Sequence, residues 1–115
     1  MAKEKRLILI RVATELLADA LKGTLEDKGY QTAVLRPTEG FPVELEGSVA
    51  AVVTHFRFPH CEEVTETSDP FCAEIAERGI PFVIVGGGPV PDRFRAHVLR
   101  FPFQTGALEA ALFGE

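Results

Sequence analysis

Four sets of residues in the 115-residue chain are of types suited to chemistry. The first closes the stretch Val49–Pro59, where an apolar run ends on Thr54 and His55. A histidine at such a position can take a proton or a phosphoryl group, and a threonine hydroxyl becomes a nucleophile only beside an activating base. The second is Gly86-Gly87-Gly88, which follows an apolar run as phosphate-cradling loops do. No lysine and serine follow it, and Pro89 removes a backbone donor, so a plain connection accounts for it equally well. The third is His60-Cys61-Glu62-Glu63, with His55 and Cys72 not far along the chain. A zinc site needs three or four convergent ligands at regular spacing, and this stretch reads more simply as a solvated acidic loop. The fourth is the set Arg57, Arg93, Arg95 and Arg100. Converging, they would hold a small anion or an acidic partner; apart, they are ordinary surface cations.

The elements that must position these groups follow from the hydrophobic pattern. Val49–Thr54 is short, small and β-branched, which fits a strand buried on both faces in the middle of a parallel sheet. Arg6–Ile10, Gln31–Arg36, Pro81–Val85 and Val98–Phe101 read as four further strands. Between the first two, Thr14 caps a helix running to about Lys28. Leu17, Leu21 and Leu25 form its apolar stripe, widened by Leu16 and Ala20, and Gly29 ends it. Phe41–Leu45 supports a turn or two of helix, with Pro42 in the first turn. Asp69-Pro70 opens a helix to about Arg78 that buries Phe71, Ile75 and Cys72, and Gly79 stops it. Val90–His97 is poor in apolar residues and predicts a short or irregular helix. Gln104–Phe113 is a last helix burying Leu108, Ala111 and Leu112. Strand and helix alternate five times, and parallel strands need such crossovers. The pattern predicts an α/β fold with a five-stranded doubly wound sheet, three layers deep, in a single domain spanning residues 1–115.

Composition narrows the classes of function. The chain has 12 basic and 17 acidic residues, a formal net charge of −5 and no long basic run. This argues against nucleic acid as a partner. The two cysteines are too few for a disulfide scaffold. The apolar run after Lys3-Glu4-Lys5-Arg6 is cut short by Arg11, too soon for a signal-peptide core, and no stretch approaches a membrane span. A reduced, cytoplasmic location is expected.

Four stretches together resemble the receiver domain of response regulators, the CheY-like family. Arg6–Leu21, with Leu-Leu-Ala-Asp-Ala-Leu opening the helix, is similar to the family's first strand and helix. Leu25-Glu-Asp-Lys-Gly-Tyr30 is similar to its helix-to-strand turn, and Phe56-Arg-Phe-Pro59 to the segment after its phosphoacceptor. Gly79–Val85 and Phe101-Pro-Phe103 are similar to its last two strands. The resemblance covers nearly all of residues 6–113. It implies a flavodoxin-like strand order, 2-1-3-4-5, with the functional crevice outside the carboxyl ends of the strands.

The resemblance also places the family's phosphorylation site, and here the sequence departs from it. The acidic pair that would hold Mg²⁺ falls at Val12 and Ala13. The phosphoacceptor falls at His55, the hydroxyl residue after strand four at Gly86, the switch aromatic at Val98 and the lysine at Phe101. Mg²⁺ is a hard ion that requires oxygen ligands, and neither Val12 nor Ala13 supplies one. Phe101 fills with apolar surface a place where an unpaired lysine would be costly. The family's cis peptide bond before proline maps to Phe101-Pro102.

The expectation is therefore a degenerate pseudo-receiver of a two-component or phosphorelay system, without an output domain. It is expected to be no enzyme, to need no cofactor or metal, and to act by protein–protein contact. Phe56, Arg57 and Phe101 are the candidate partner-binding residues, within an aromatic group that includes Phe58 and Phe103. The partner would be a kinase, another receiver or a second copy, a homodimer then using helix four, strand five and helix five. Two alternatives stay open: phosphoryl acceptance at His55 or Thr54, and sensing of a small anion or nucleotide at Gly86–Gly88.

Overall fold

The computed structural model describes residues 6–12, 14–36, 40–55, 70–85, 90–99 and 105–113. They form five strands and three α-helices: β1 Leu7–Arg11, α1 Glu15–Asp27, β2 Gln31–Val34, β3 Val49–Thr54, α2 Pro70–Glu77, β4 Phe82–Val85, β5 Val98–Leu99 and α3 Thr105–Phe113. Two 3-10 helices, Val43–Ser48 and Asp92–His97, lead into β3 and β5. The sheet is parallel in the order β2-β1-β3-β4-β5. This is the predicted topology, with β3 in the middle.

The β-branched content of β3 suits a pleated strand flanked on both sides, and its last four residues are buried. Alternation along β1 and β3 divides the core into two layers. Ile8, Ile10, Val12, Ala51 and Val53 face α1 and α3, packing on Ala18, Leu21, Leu25, Leu108 and Leu112. Leu9, Val52, Phe82 and Ile84 face the other side, with Phe71, Cys72 and Ile75 of α2, Phe41 and Phe94.

Thr14 caps α1 as its position predicts, its hydroxyl accepting the Leu17 N–H at 3.2 Å. Gly29, at φ 94°, reverses the chain into β2 in a conformation that a side chain would strain.

Several expectations need correction. The buried stripe of α1 is Ala18, Leu21 and Leu25, with Leu17 half-buried; Ala20 is exposed and Leu16 is 82% exposed. At 100° per residue Leu16 lies about 200° from Ala18, on the opposite face of the helix. Ala111 is exposed on α3, at the edge of the face whose buried line runs through Leu108 and Leu112. The first strand runs one residue further than predicted and takes in Arg11, while the second ends at Val34. The short or irregular helix expected over Val90–His97 is present as the 3-10 helix Asp92–His97.

Gly23 sits inside α1 in the open, with no atom within 4 Å of where a Cβ would stand. Gly23→Ala removes the backbone entropy cost of a helical glycine without a clash. It should raise stability by about 0.5–1 kcal/mol, read as a higher urea midpoint at unchanged slope.

Candidate functional site

The carboxyl ends of β1 and β3 carry the residues of greatest chemical interest. The two strands pair in parallel, and the register sets Arg11 against Thr54. Leu9, Arg11, Val52 and Thr54 point to the α2 side, so a charged side chain enters the upper part of that core layer. Arg11 is 3% exposed. Its guanidinium lies 4.4 Å from the centroid of the Phe71 ring, a cation–π stack against the first turn of α2. One of its nitrogens donates to the Thr54 hydroxyl at 3.1 Å. Thr54, with no exposed surface, donates in turn to the His55 carbonyl at 2.9 Å. The Cys72 thiol points at that same carbonyl, 3.8 Å away.

His55 is half-buried and doubly tied to β1. Its backbone N–H donates to the Arg11 carbonyl at 3.0 Å, which extends the ladder one residue past β3. Its ring Nδ1 stands 3.1 Å from the same oxygen. A carbonyl only accepts, so the tautomer protonated on Nδ1 is the one that fits, and in the neutral ring the lone pair then lies on Nε2. The result is a latch of two strand ends and one helix, built from Arg11, Thr54, His55 and Phe71.

This geometry separates the predicted site residues. Thr54 is enclosed and its proton is already committed, which makes it a poor nucleophile. Val12 is 3% exposed and belongs to the α1-side core; Val98 is half-buried and packs on the α2-side core. Arg95 is exposed on the 3-10 helix that leads to the amino end of β5, whereas His55 stands at the carboxyl end of β3. Ala13, Phe56, Arg57, Phe58, His60, Cys61, Glu62, Glu63, Gly86–Gly88, Arg100, Phe101, Phe103, the side chain of Arg93 and the Phe101-Pro102 bond lie outside the described residues. Among the described residues no three His, Cys, Asp or Glu side chains come together as metal ligands.

The residue that sequence reasoning missed is Arg11. Its signal was present: in a doubly buried strand Leu7, Leu9 and Arg11 share a face, so a charge there must be buried or stacked. Beside the latch, Val12, Ala18, Val34 and Leu35, with Thr14, Glu15 and Arg36 at the rim, line an open groove of about 150 Å³ between α1 and the end of β2.

A five-stranded parallel sheet in the order 2-1-3-4-5, wrapped by helices on both faces and with its polar residues at the strand ends, is the fold of CheY-like receiver domains. No protein-family model and no curated protein matches the chain. Solved structures match it over nearly its whole length. The solution structure of SdrG from Sphingomonas melonis Fr1 is 26% identical, with a TM-score of 0.65 over 94% of this chain and 93% of that one. The BeF3-activated conformation of SdrG from Pseudomonas melonis Fr1 is 28% identical, with the same TM-score over 93% and 95% of the two chains. The pseudo-receiver domain of the CikA protein, at 16% identity and a TM-score of 0.63 over 93% of each chain, shares the fold. The chain is thus similar to response-regulator receiver and pseudo-receiver domains, which are parts of signalling proteins. Among the described residues no helix is long and apolar enough to cross a membrane.

Proposed function

We propose that the chain is a signalling module of the pseudo-receiver kind, which works by binding another protein and is not switched by aspartyl phosphate at the end of β3. The observation that carries this reading is the Arg11–Thr54–His55 latch. Where the resemblance places a phosphoacceptor aspartate, the chain has a histidine whose ring is held against the Arg11 carbonyl. Beside it lies Arg11, and the resemblance puts Val12 and Ala13 where the acidic metal ligands would be. An Mg²⁺-assisted transfer needs carboxylates to hold the ion, and Val12 cannot provide one. In a receiver the signal is a shift between two conformations, and a ligand shifts them only through differential affinity. With the strand ends latched, a protein partner supplies that differential affinity here. Phe56, Arg57 and Phe101 remain the candidate contacts, and the signalling receivers among the similar structures favour a partner from such a pathway.

The test is direct. The protein is incubated with Mg²⁺ and acetyl phosphate, and separately with beryllofluoride, and followed by intact mass and ¹⁵N spectra. The expected result is unchanged mass and unmoved amide peaks for Arg11, Val12, Thr54 and His55. Addition of one phosphoryl group that His55→Ala abolishes would replace this reading with phosphoryl acceptance at His55.

A further inference from the structure

We propose that the crossover between β2 and β3 controls the His55 ring, through a continuous stack of side chains that runs from Phe41 across α2 to the Arg11–Thr54–His55 latch. The inference rests on the reading of the chain as a module switched by a protein partner, and it assigns that partner a point of action and an effect.

The stack is built on one stripe of α2. Phe71, Ile75 and Arg78 recur at i, i+4 and i+7, so they share a face, with Phe71 and Arg78 about 10 Å apart along the axis. Arg78 follows the last residue of the helix and still donates its N–H to the Glu74 carbonyl. Phe41 bridges the two ends of this stripe. The Arg78 guanidinium lies 4.8 Å from the Phe41 centroid, and the Phe41 and Phe71 centroids are 6.4 Å apart at an interplanar angle of 45°. Phe71 then carries Arg11 at 4.4 Å, and Arg11 reaches the Thr54 hydroxyl at 3.1 Å. Phe41, Phe71 and Arg11 are 7%, 4% and 3% exposed, so each is enclosed and a shift of one is felt by the next.

The stack ends on the histidine by two routes. Arg11 rests its side chain on Phe71 and holds the His55 ring through its own carbonyl. Cys72, the neighbour of Phe71 in α2, points its thiol at the His55 carbonyl. A displaced first turn of α2 therefore disturbs both the ring and the backbone of His55.

The other end of the stack is its soft end. Phe41 precedes the six-residue 3-10 helix Val43–Ser48, which has no side-chain cap. Hydrogen bonds in such a helix are poorer than in an α-helix, and long runs are uncommon. Val43, two residues beyond Phe41, is 60% exposed and gives a partner an aliphatic hold on this segment. The ring has two arrangements: seated, with Nδ1–H on the Arg11 carbonyl, or released and exchanging between tautomers. A partner that reshapes the crossover and withdraws Phe41 removes one wall from Phe71, loosens the platform under Arg11 and shifts the ring toward release.

The experiment uses ring ¹⁵N shifts of His55 at about pH 8, where an ordinary histidine is neutral, and its rate of modification by diethyl pyrocarbonate, read by peptide mass. Wild type should show the tautomer protonated on Nδ1. Phe41→Leu should move the ring toward the other tautomer and raise the modification rate about twofold to tenfold, the range for changes along a coupled network. Leu112→Val, a conservative truncation in the other core layer, should leave both readouts near wild type. If Phe41→Leu does not fold, Arg78→Ala removes the far support of Phe41 from a half-buried position and is read the same way. An unmoved His55 ring in the folded variant overturns the inference. So does an equal response in Leu112→Val, which would mean general loosening. The mass experiment above reads phosphoryl addition and these variants read ring release, so either reading can fail without the other.

Discussion

Arg11→Ala should lower stability by about 2–4 kcal/mol, the range for emptying a large buried side chain. The side chain is enclosed, spans from β1 to β3 and lies over the Phe71 ring. Truncation leaves a void under the first turn of α2 and removes the guanidinium donor from a hydroxyl that has no access to water. Two further variants separate the causes. Arg11→Met keeps most of the volume and removes a charge from a low-dielectric layer, so its loss should be smaller, under about 1.5 kcal/mol. Arg11→Lys keeps the charge but loses the planar stack, and an ammonium ion is harder to desolvate than a guanidinium, so it should fall below methionine. Urea denaturation of the three variants gives the order. If methionine proves as harmful as alanine, the charge itself holds the strand ends together and the packing account of the latch is wrong.

The latch also marks where sequence reading stopped. The sheet was legible because each strand is a short apolar run closed by glycine, proline or a polar residue, and the helices between them have caps and stops that act locally. Thr14 and Gly29 act within one turn, so their roles could be read one residue at a time. Arg11 acts across 43 residues of chain to Thr54. Nothing local signals that contact; it follows only once β1 and β3 are paired in register. His55 was legible as a strand-end histidine, but not the Nδ1 contact with Arg11 that fixes its ring. Leu16 was misread for the opposite reason: its type suggested an apolar face, but its place on the helix puts it in solvent.

The segment between β4 and β5 was read as too poor in apolar residues for a confident helix, and its structure depends on one aromatic side chain. Phe94→Ala should cost about 3–5 kcal/mol, the range for removing a buried phenylalanine. Phe94 is 1% exposed and meets Phe82 edge-on at 5.9 Å between centroids. On another side of Phe82, the His97 ring stacks at 4.1 Å and its Nδ1 lies 3.2 Å from the Phe82 carbonyl. Phe82 thus ties the 3-10 helix Asp92–His97 to β4, and β5 follows that helix directly. Among the described residues β5 pairs through Val98 and Leu99, with Ile84 and Val85 of β4. β5 is an edge strand that follows this helix directly, so loss of Phe94 should free β5 along with the 3-10 helix. Hydrogen exchange should therefore quicken at Val98 and Leu99 in Phe94→Ala, while Leu9 and Val52 in the central strands keep most of their protection. Uniform loss of protection across all five strands would mean instead that the edge and the centre unfold as one unit. The distinction bears on function, because the expected dimer face of helix four, strand five and helix five has at this place a short 3-10 helix held on Phe82 by Phe94 and His97. A partner that binds there meets a surface that Phe94 helps to order, so the variant should weaken that contact.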